Sequence, residues 1–256
     1  CRPVRAPHHA GRCSAQRPRN DERRDPPRVH ASARATTGSA VAARRAGSTE
    51  ATTPQASAIA TMRPIRPAGK ASATGQVAPT TVNAAFFSTG QKCTATSRAI
   101  VDDSIYGKFA DALVERTRKL KVGNGMEPGI DIGPAVDEGQ LETDLRYIEI
   151  GRKECGQPRI GGKRLTGGAY DQGYFVEPTI FARVTEDMTI AKEEIFGPVL
   201  AVMRARDFAD AMRIANNIPF GLSASIQTTS LSRVFDYVYG MEAGLHPISS
   251  WNNPEP

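Results

Sequence analysis

Apolar and polar positions divide the chain at about residue 82. Beyond it, apolar residues recur at the spacings of regular structure; before it they are too sparse to show a period. Ala99-Ile-Val101 and Leu200-Ala-Val-Met203 read as short apolar strands. Ser104 is placed to cap a helix through Leu120, with Ile105, Phe109, Leu113 and Leu120 on one face. A second helix is predicted from Asp137 to Glu154, ending at Gly156. Tyr174-Phe-Val-Glu-Pro-Thr-Ile-Phe181 reads as a strand interrupted at Pro178. Asp207 opens a helix that ends near Asn216-Asn217. Leu222-Ser-Ala-Ser-Ile226 is a strand of small residues, and a last helix covers Ser230–Glu242. The Gly- and Pro-rich stretches Gly123–Pro134 and Gly161–Gly173 predict loops. Strands alternating with helices predict an α/β fold, a mostly parallel sheet with flanking helices.

Composition sharpens the division. The first 80 residues hold thirteen Arg and one Lys against four acids, Asp21, Glu22, Asp25 and Glu50. They contain no Leu, Phe, Tyr or Trp. So few large apolar groups do not offset roughly 1–2 kcal/mol of backbone entropy per ordered residue, and residues 1–80 are expected to be disordered. The basic balance of the whole chain, +6, belongs to this stretch. Three origins suit it: a basic arm for nucleic acid, an organelle transit peptide, or GC-rich codons read in the wrong frame. The arginines are scattered without aromatic residues to stack on bases, and no apolar helix face suits a transit peptide. Out-of-frame translation is therefore the preferred reading, and nucleic acid is not the expected partner. The chain opens on Cys1 instead of Met, which suggests a fragment, a processed form or a conceptual translation.

No run reaches the roughly 20 apolar residues that cross a bilayer. Cys1, Cys13, Cys93 and Cys155 have irregular spacing, with neither a disulfide framework nor metal-ligand spacing. A reducing, cytoplasmic setting and no metal are the expectations.

Two features carry possible chemistry. Cys93 follows Gly90-Gln-Lys92 and precedes Thr94, where a turn meets regular structure. A thiolate is the strongest common side-chain nucleophile near neutral pH, although a lone Cys among small residues also suits a buried packing position. Lys192-Glu-Glu-Ile-Phe-Gly-Pro-Val199 sets adjacent carboxylates before an apolar pair and a Gly-Pro turn, which alone also suits a solvated strand entry.

Taken together these two features resemble the aldehyde dehydrogenase superfamily. Gly90-Gln-Lys-Cys93 with Thr-Ala-Thr-Ser-Arg98 is similar to its nucleophile motif, and Glu193-Glu-Ile-Phe-Gly-Pro-Val199 to its cofactor-ribose motif. Ile132-Gly-Pro134, Gly173-Tyr-Phe-Val-Glu-Pro-Thr179 and Pro219-Phe-Gly-Leu222 match in the same order, so the resemblance covers about residues 82–245. It implies that Cys93 attacks an aldehyde carbon to form a thiohemiacetal, that its backbone N–H helps hold the oxyanion, and that a thioester is then hydrolysed. It implies NAD or NADP as hydride acceptor, with Glu194 on the nicotinamide-ribose hydroxyls and Phe196 beside that ribose. The run from Phe86-Phe87 through Thr94 to Arg98 most resembles semialdehyde-oxidising members, such as those acting on α-ketoglutaric semialdehyde. The resemblance also implies a homo-oligomer in intact members, with the interface incomplete in this chain.

The same resemblance marks departures. The family places a general-base glutamate upstream of the cysteine, whereas no Asp or Glu occurs from Ala51 to Lys92. Loss of such a base slows a step by about 10²–10⁴-fold. No strand, Gly-rich phosphate turn or ribose acid is expected in residues 1–80. After Leu245 the family continues with an apolar strand, whereas residues 246–256 hold three prolines, expected to exclude a central strand. The reading is thus a catalytic-domain portion, 82–245, between a disordered segment and an aberrant tail, 246–256, with exposed apolar surface. It is expected to be an aldehyde dehydrogenase by descent with little turnover. The alternative is a non-catalytic remnant that binds intact subunits or another partner.

Overall fold

The computed structural model describes residues 56–60 and 73–248, with side chains described over 77–248. All of these residues fall in one compact unit of the chain, Gly38–Pro256. Five strands form a wholly parallel sheet in the order β3-β4-β2-β1-β5. They are β1 (Ala56–Ala60), β2 (Thr96–Asp102), β3 (Thr179–Val184), β4 (Val199–Ala205) and β5 (Ser223–Ile226). Helix α1 (Ala73–Phe86) and α2 (Tyr106–Thr117) precede and follow β2. Helix α3 (Glu138–Cys155), the single turn α4 (Thr189–Lys192), α5 (Phe208–Asn216) and α6 (Leu231–Gly240) are the other α-helices among the described residues. The α/β class expected from the sequence is the one observed. Among the described residues no helix is long and apolar enough to cross a membrane.

Side chains alternate across the sheet, as the two-residue period of a strand requires. Ala99, Val101, Leu200 and Val202 point to the layer holding Val82, Phe86, Phe109 and Leu113. Ile100, Ala201, Met203 and Phe181 point to the opposite layer with Leu141, Ile148, Ile214 and Tyr237. Strands buried on both faces read as continuous apolar runs, which is why β2 and β4 were visible in the sequence.

Helix ends follow their caps. The Asp137 carboxylate accepts from the Gln140 N–H at 2.8 Å to open α3, and the chain leaves it at Gly156 with φ +86°. Asp207 accepts likewise from Asp210 N–H at 2.8 Å, and Ser230 opens α6. Ser104 does not cap α2 as expected. Its N–H and hydroxyl both go to Asp102 Oδ1, so the helix begins two residues later and ends at Thr117. Strand β3 starts only after Pro178, whose missing N–H cannot join the ladder.

One expectation is corrected. Residues 1–80 were expected to supply no strand, yet β1 lies inside the sheet, with Ala58 opposite Ala99 of β2 and Ile59 opposite Ile226 of β5. Backbone ladders on both sides support a strand that composition does not reveal. Helix α1 likewise begins at Ala73. The disorder expected for residues 1–55 and 61–72 falls outside the described residues. The prolines after Leu245 were expected to exclude a central strand, and residues 245–248 lie at the sheet edge, where Leu245 and Ile248 bridge Ser223 and Ile226 of β5 in parallel. Pro247 takes part through its carbonyl, which accepts from Ile226 N–H at 3.1 Å. The prolines thus permit an edge position; residues 249–256 fall outside the described residues.

Candidate active site

The chain between α1 and β2 makes a left-handed turn. Ser88, Thr89 and Gly90 take φ of 57°, 60° and 67° in succession, a region that costs energy for the first two. Side-chain bonds hold it there. Thr89 Oγ1 donates to the Gly133 carbonyl at 3.2 Å. Gln91 Nε2 donates to the Pro134 carbonyl at 3.4 Å, and Gln91 Oε1 accepts from Val136 N–H at 2.9 Å. The Gly-Gln-Lys-Cys and Ile-Gly-Pro motifs are therefore two halves of one clamp. Cys93 stands exposed in the turn that follows, closed by Ala95 N–H on the Lys92 carbonyl at 2.9 Å. Beyond it, Arg98 of β2 is buried and donates to the carbonyls of Ile214 and Ala215 at 3.3 and 3.1 Å. It thereby caps the C-terminus of α5 beneath the sheet; burial lowers its pKa to about 10.

The Glu193–Val199 segment packs directly against that turn. A Cβ on Gly90 would lie 2.2 Å from the Gly197 carbonyl oxygen, and one on Gly197 would lie 1.9 Å from Asp144 Oδ1. Only glycine fits either place. Phe196 is held at φ +59° and stays partly exposed, while Ile195 is buried and anchors the loop.

Together the two segments line an open cleft. Gly90, Lys92, Ala95, Thr96 and Ser97 form one wall and Glu194, Phe196 and Gly197 the other. Cys93 stands outside this lining, on the exposed side of the turn. Glu194 is half-buried and has no hydrogen-bond partner among the described residues; burial raises its pKa above the ordinary carboxylate value. An unpartnered carboxylate at the side of a cleft, beside a partly exposed aromatic ring, suits a diol such as a ribose. The residues present thus fit the ribose end of a nicotinamide nucleotide. Pro219-Phe-Gly-Leu222 lies elsewhere: Phe220 and Gly221 line a separate cleft with Asn216, Met241 and Glu242.

Sequence reasoning missed the support for this loop. Gln140 Nε2 donates both to Asp144 Oδ1 at 2.7 Å and to the Ile195 carbonyl at 3.0 Å. Tyr147 Oη donates to Glu193 Oε2 at 2.7 Å, and Arg146 lies over its ring at 4.7 Å. These residues sit one or two turns apart on α3, a spacing legible in the sequence, but nothing there said which loop they would face.

A model of the aldehyde dehydrogenase family matches residues 36–256. Over 169 residues the chain is 44% identical to an α-ketoglutaric semialdehyde dehydrogenase of Bacillus subtilis (strain 168), covering 66% of this chain and 35% of that protein. Over 168 residues it is 44% identical to a 2,5-dioxopentanoate dehydrogenase of Saccharolobus solfataricus, covering 66% and 34%. A solved 1-pyrroline-5-carboxylate dehydrogenase from Thermus, with bound NAD, superposes with a TM-score of 0.68 at 34% identity, covering 76% of this chain and 35% of that one. The chain belongs to the aldehyde dehydrogenase family. It spans about a third of the length of the curated relatives it matches.

Proposed function

We propose that this chain carries the nucleophile and ribose-holding part of an NAD(P)-dependent aldehyde dehydrogenase that acts on a semialdehyde such as α-ketoglutaric semialdehyde. The observation that carries the reading is the juxtaposition of the Cys93 turn with the loop bearing Glu194 and Phe196 across one cleft. The relatives named for α-ketoglutaric semialdehyde and 2,5-dioxopentanoate support the substrate class. The Cys93 thiolate attacks the aldehyde carbon, and its backbone N–H donates to the developing oxyanion. Glu194 would accept hydrogen bonds from the ribose hydroxyls and Phe196 would pack beside them. The nicotinamide, when bound, supplies the hydride acceptor. Water then cleaves the Cys93 thioester. With no carboxylate from Ala51 to Lys92 to activate that water, this step is slowed by about 10²–10⁴-fold.

The reading is tested by stopped-flow measurement of reduced nucleotide after mixing the chain, NAD or NADP, and α-ketoglutaric semialdehyde. A burst of up to one equivalent per Cys93 followed by a slow phase is expected; absence of a burst with either nucleotide rejects the assignment. A second reading, association with further subunits, is favoured by one observation. Leu231, Phe235 and Tyr239 form an exposed apolar stripe on the outer side of α6. Sedimentation analysis showing only a monomer at all concentrations rejects it.

A further inference from the structure

The side chains Gln140, Asp144, Tyr147 and Gly151 recur at four- and three-residue steps and so share one face of α3. The first three engage the loop of Glu194, and Gly151 lies under the Phe181 ring. Asp144 is the unusual member. It is fully buried, its Oδ1 is bonded to Gln140, and its Oδ2 has no hydrogen-bond partner. A buried polar atom left unpartnered costs stability, and an apolar residue of similar volume would fill the space at lower cost. The carboxyl is also the surface on which Gly197 rests, in contact too close for any Cβ. The loop it supports is strained, with Phe196 at φ +59°, and a strained loop keeps its shape only where neighbours over-determine it.

We propose that Asp144 and Tyr147 are positioning residues for the Glu193–Gly197 loop, holding it so that Glu194 and Phe196 face the cleft. Asp144 fixes the Gly197 end, directly and through the shared Gln140 amide that also grips Ile195. Tyr147 fixes the other end by its bond to Glu193, which keeps that carboxylate turned away from Glu194's role. Burial raises the Asp144 pKa to about 7, which agrees with a carboxyl enclosed beneath the loop. The consequence for nucleotide binding rests on the ribose assignment of Glu194 given above; the positioning itself does not.

Hydrogen–deuterium exchange and NAD titration on the full chain test the two parts separately. Asp144→Leu is expected to speed exchange of the amides of residues 193–197 by about tenfold while α3 and β4 stay protected. It is expected to weaken NAD binding by at least about fivefold and to change the rate of Cys93 alkylation by iodoacetamide by less than about twofold. Asp144→Asn, which keeps the shape and the bonding, restores both properties to within about threefold of the parent. Should Asp144→Leu fail to fold, Tyr147→Phe removes only the phenol oxygen and is expected to loosen the same amides. Unchanged exchange over 193–197 in the folded variants overturns the positioning role, as does failure of Asp144→Asn to restore it. Expected exchange with no binding of either NAD or NADP by the parent chain upholds the positioning and overturns the ribose assignment.

Discussion

Gly197→Ala tests the close seam between the two halves of the site. The added methyl carbon would lie 1.9 Å from Asp144 Oδ1, 2.5 Å from its Cγ and 2.9 Å from its Oδ2. Asp144 has no exposed surface and is bonded to Gln140, so it cannot swing into solvent to make room. Overpacking of this kind costs typically about 1–3 kcal/mol, and a clash with three atoms of one rigid group belongs at the upper end. Asp144→Ala alone loses one hydrogen bond, worth about 1 kcal/mol, but also removes a buried oxygen without a partner, so the two changes nearly cancel. In the double variant the methyl group occupies the vacated space, and the cost of Gly197→Ala falls to about 1 kcal/mol. A double-mutant cycle by urea unfolding, followed by circular dichroism, should therefore give a coupling of about 2 kcal/mol in favour of the pair. Additive effects, or a Gly197→Ala variant as stable as the parent, would refute the packing described here.

Other outcomes follow from the same geometry. Arg98→Met leaves two carbonyls at the end of α5 without their buried donor, so unfolding should become easier by about 3 kcal/mol in urea titration. Because Asp144 titrates at about 7 in the fold and at its ordinary low value when unfolded, the fold holds its proton more tightly. Its contribution to stability is thus full below about pH 4 and is lost as pH rises to about 7; Asp144→Asn should therefore gain on the parent between about pH 4 and about pH 7 in unfolding measured across pH. Cys93 is exposed, whereas Cys155 is partly buried and burial raises its pKa. Peptide mapping after brief iodoacetamide treatment should show Cys93 modified at least about tenfold faster than Cys155.

The sequence made β2, β4 and most helices legible because apolar runs and capping residues encode them locally. Asp137, Gly156 and Asp207 act where their chemistry predicted. Ser104 did not, because Asp102 reaches its N–H and hydroxyl first. Strand β1 was hidden since four of its five residues, Ala-Ser-Ala-Ile-Ala, are small; they carry little burial signal and depend on ladders to β2 and β5. The candidate site divides in the same way. Cys93, Glu194 and Phe196 lie in dense local motifs, whereas Asp144 and Tyr147 owe their role to a helix face meeting a loop about 50 residues away. No local pattern marks such a pairing.

The central claim is that Cys93 forms the covalent intermediate of aldehyde oxidation. The most direct test is mass spectrometry of the chain quenched after mixing with NAD or NADP and α-ketoglutaric semialdehyde. An acyl adduct mapped to the Cys93 peptide, persisting because its hydrolysis is slow and absent from Cys93→Ala, is the predicted result. A chain that reduces nucleotide without such an adduct, or keeps doing so as Cys93→Ala, would contradict it.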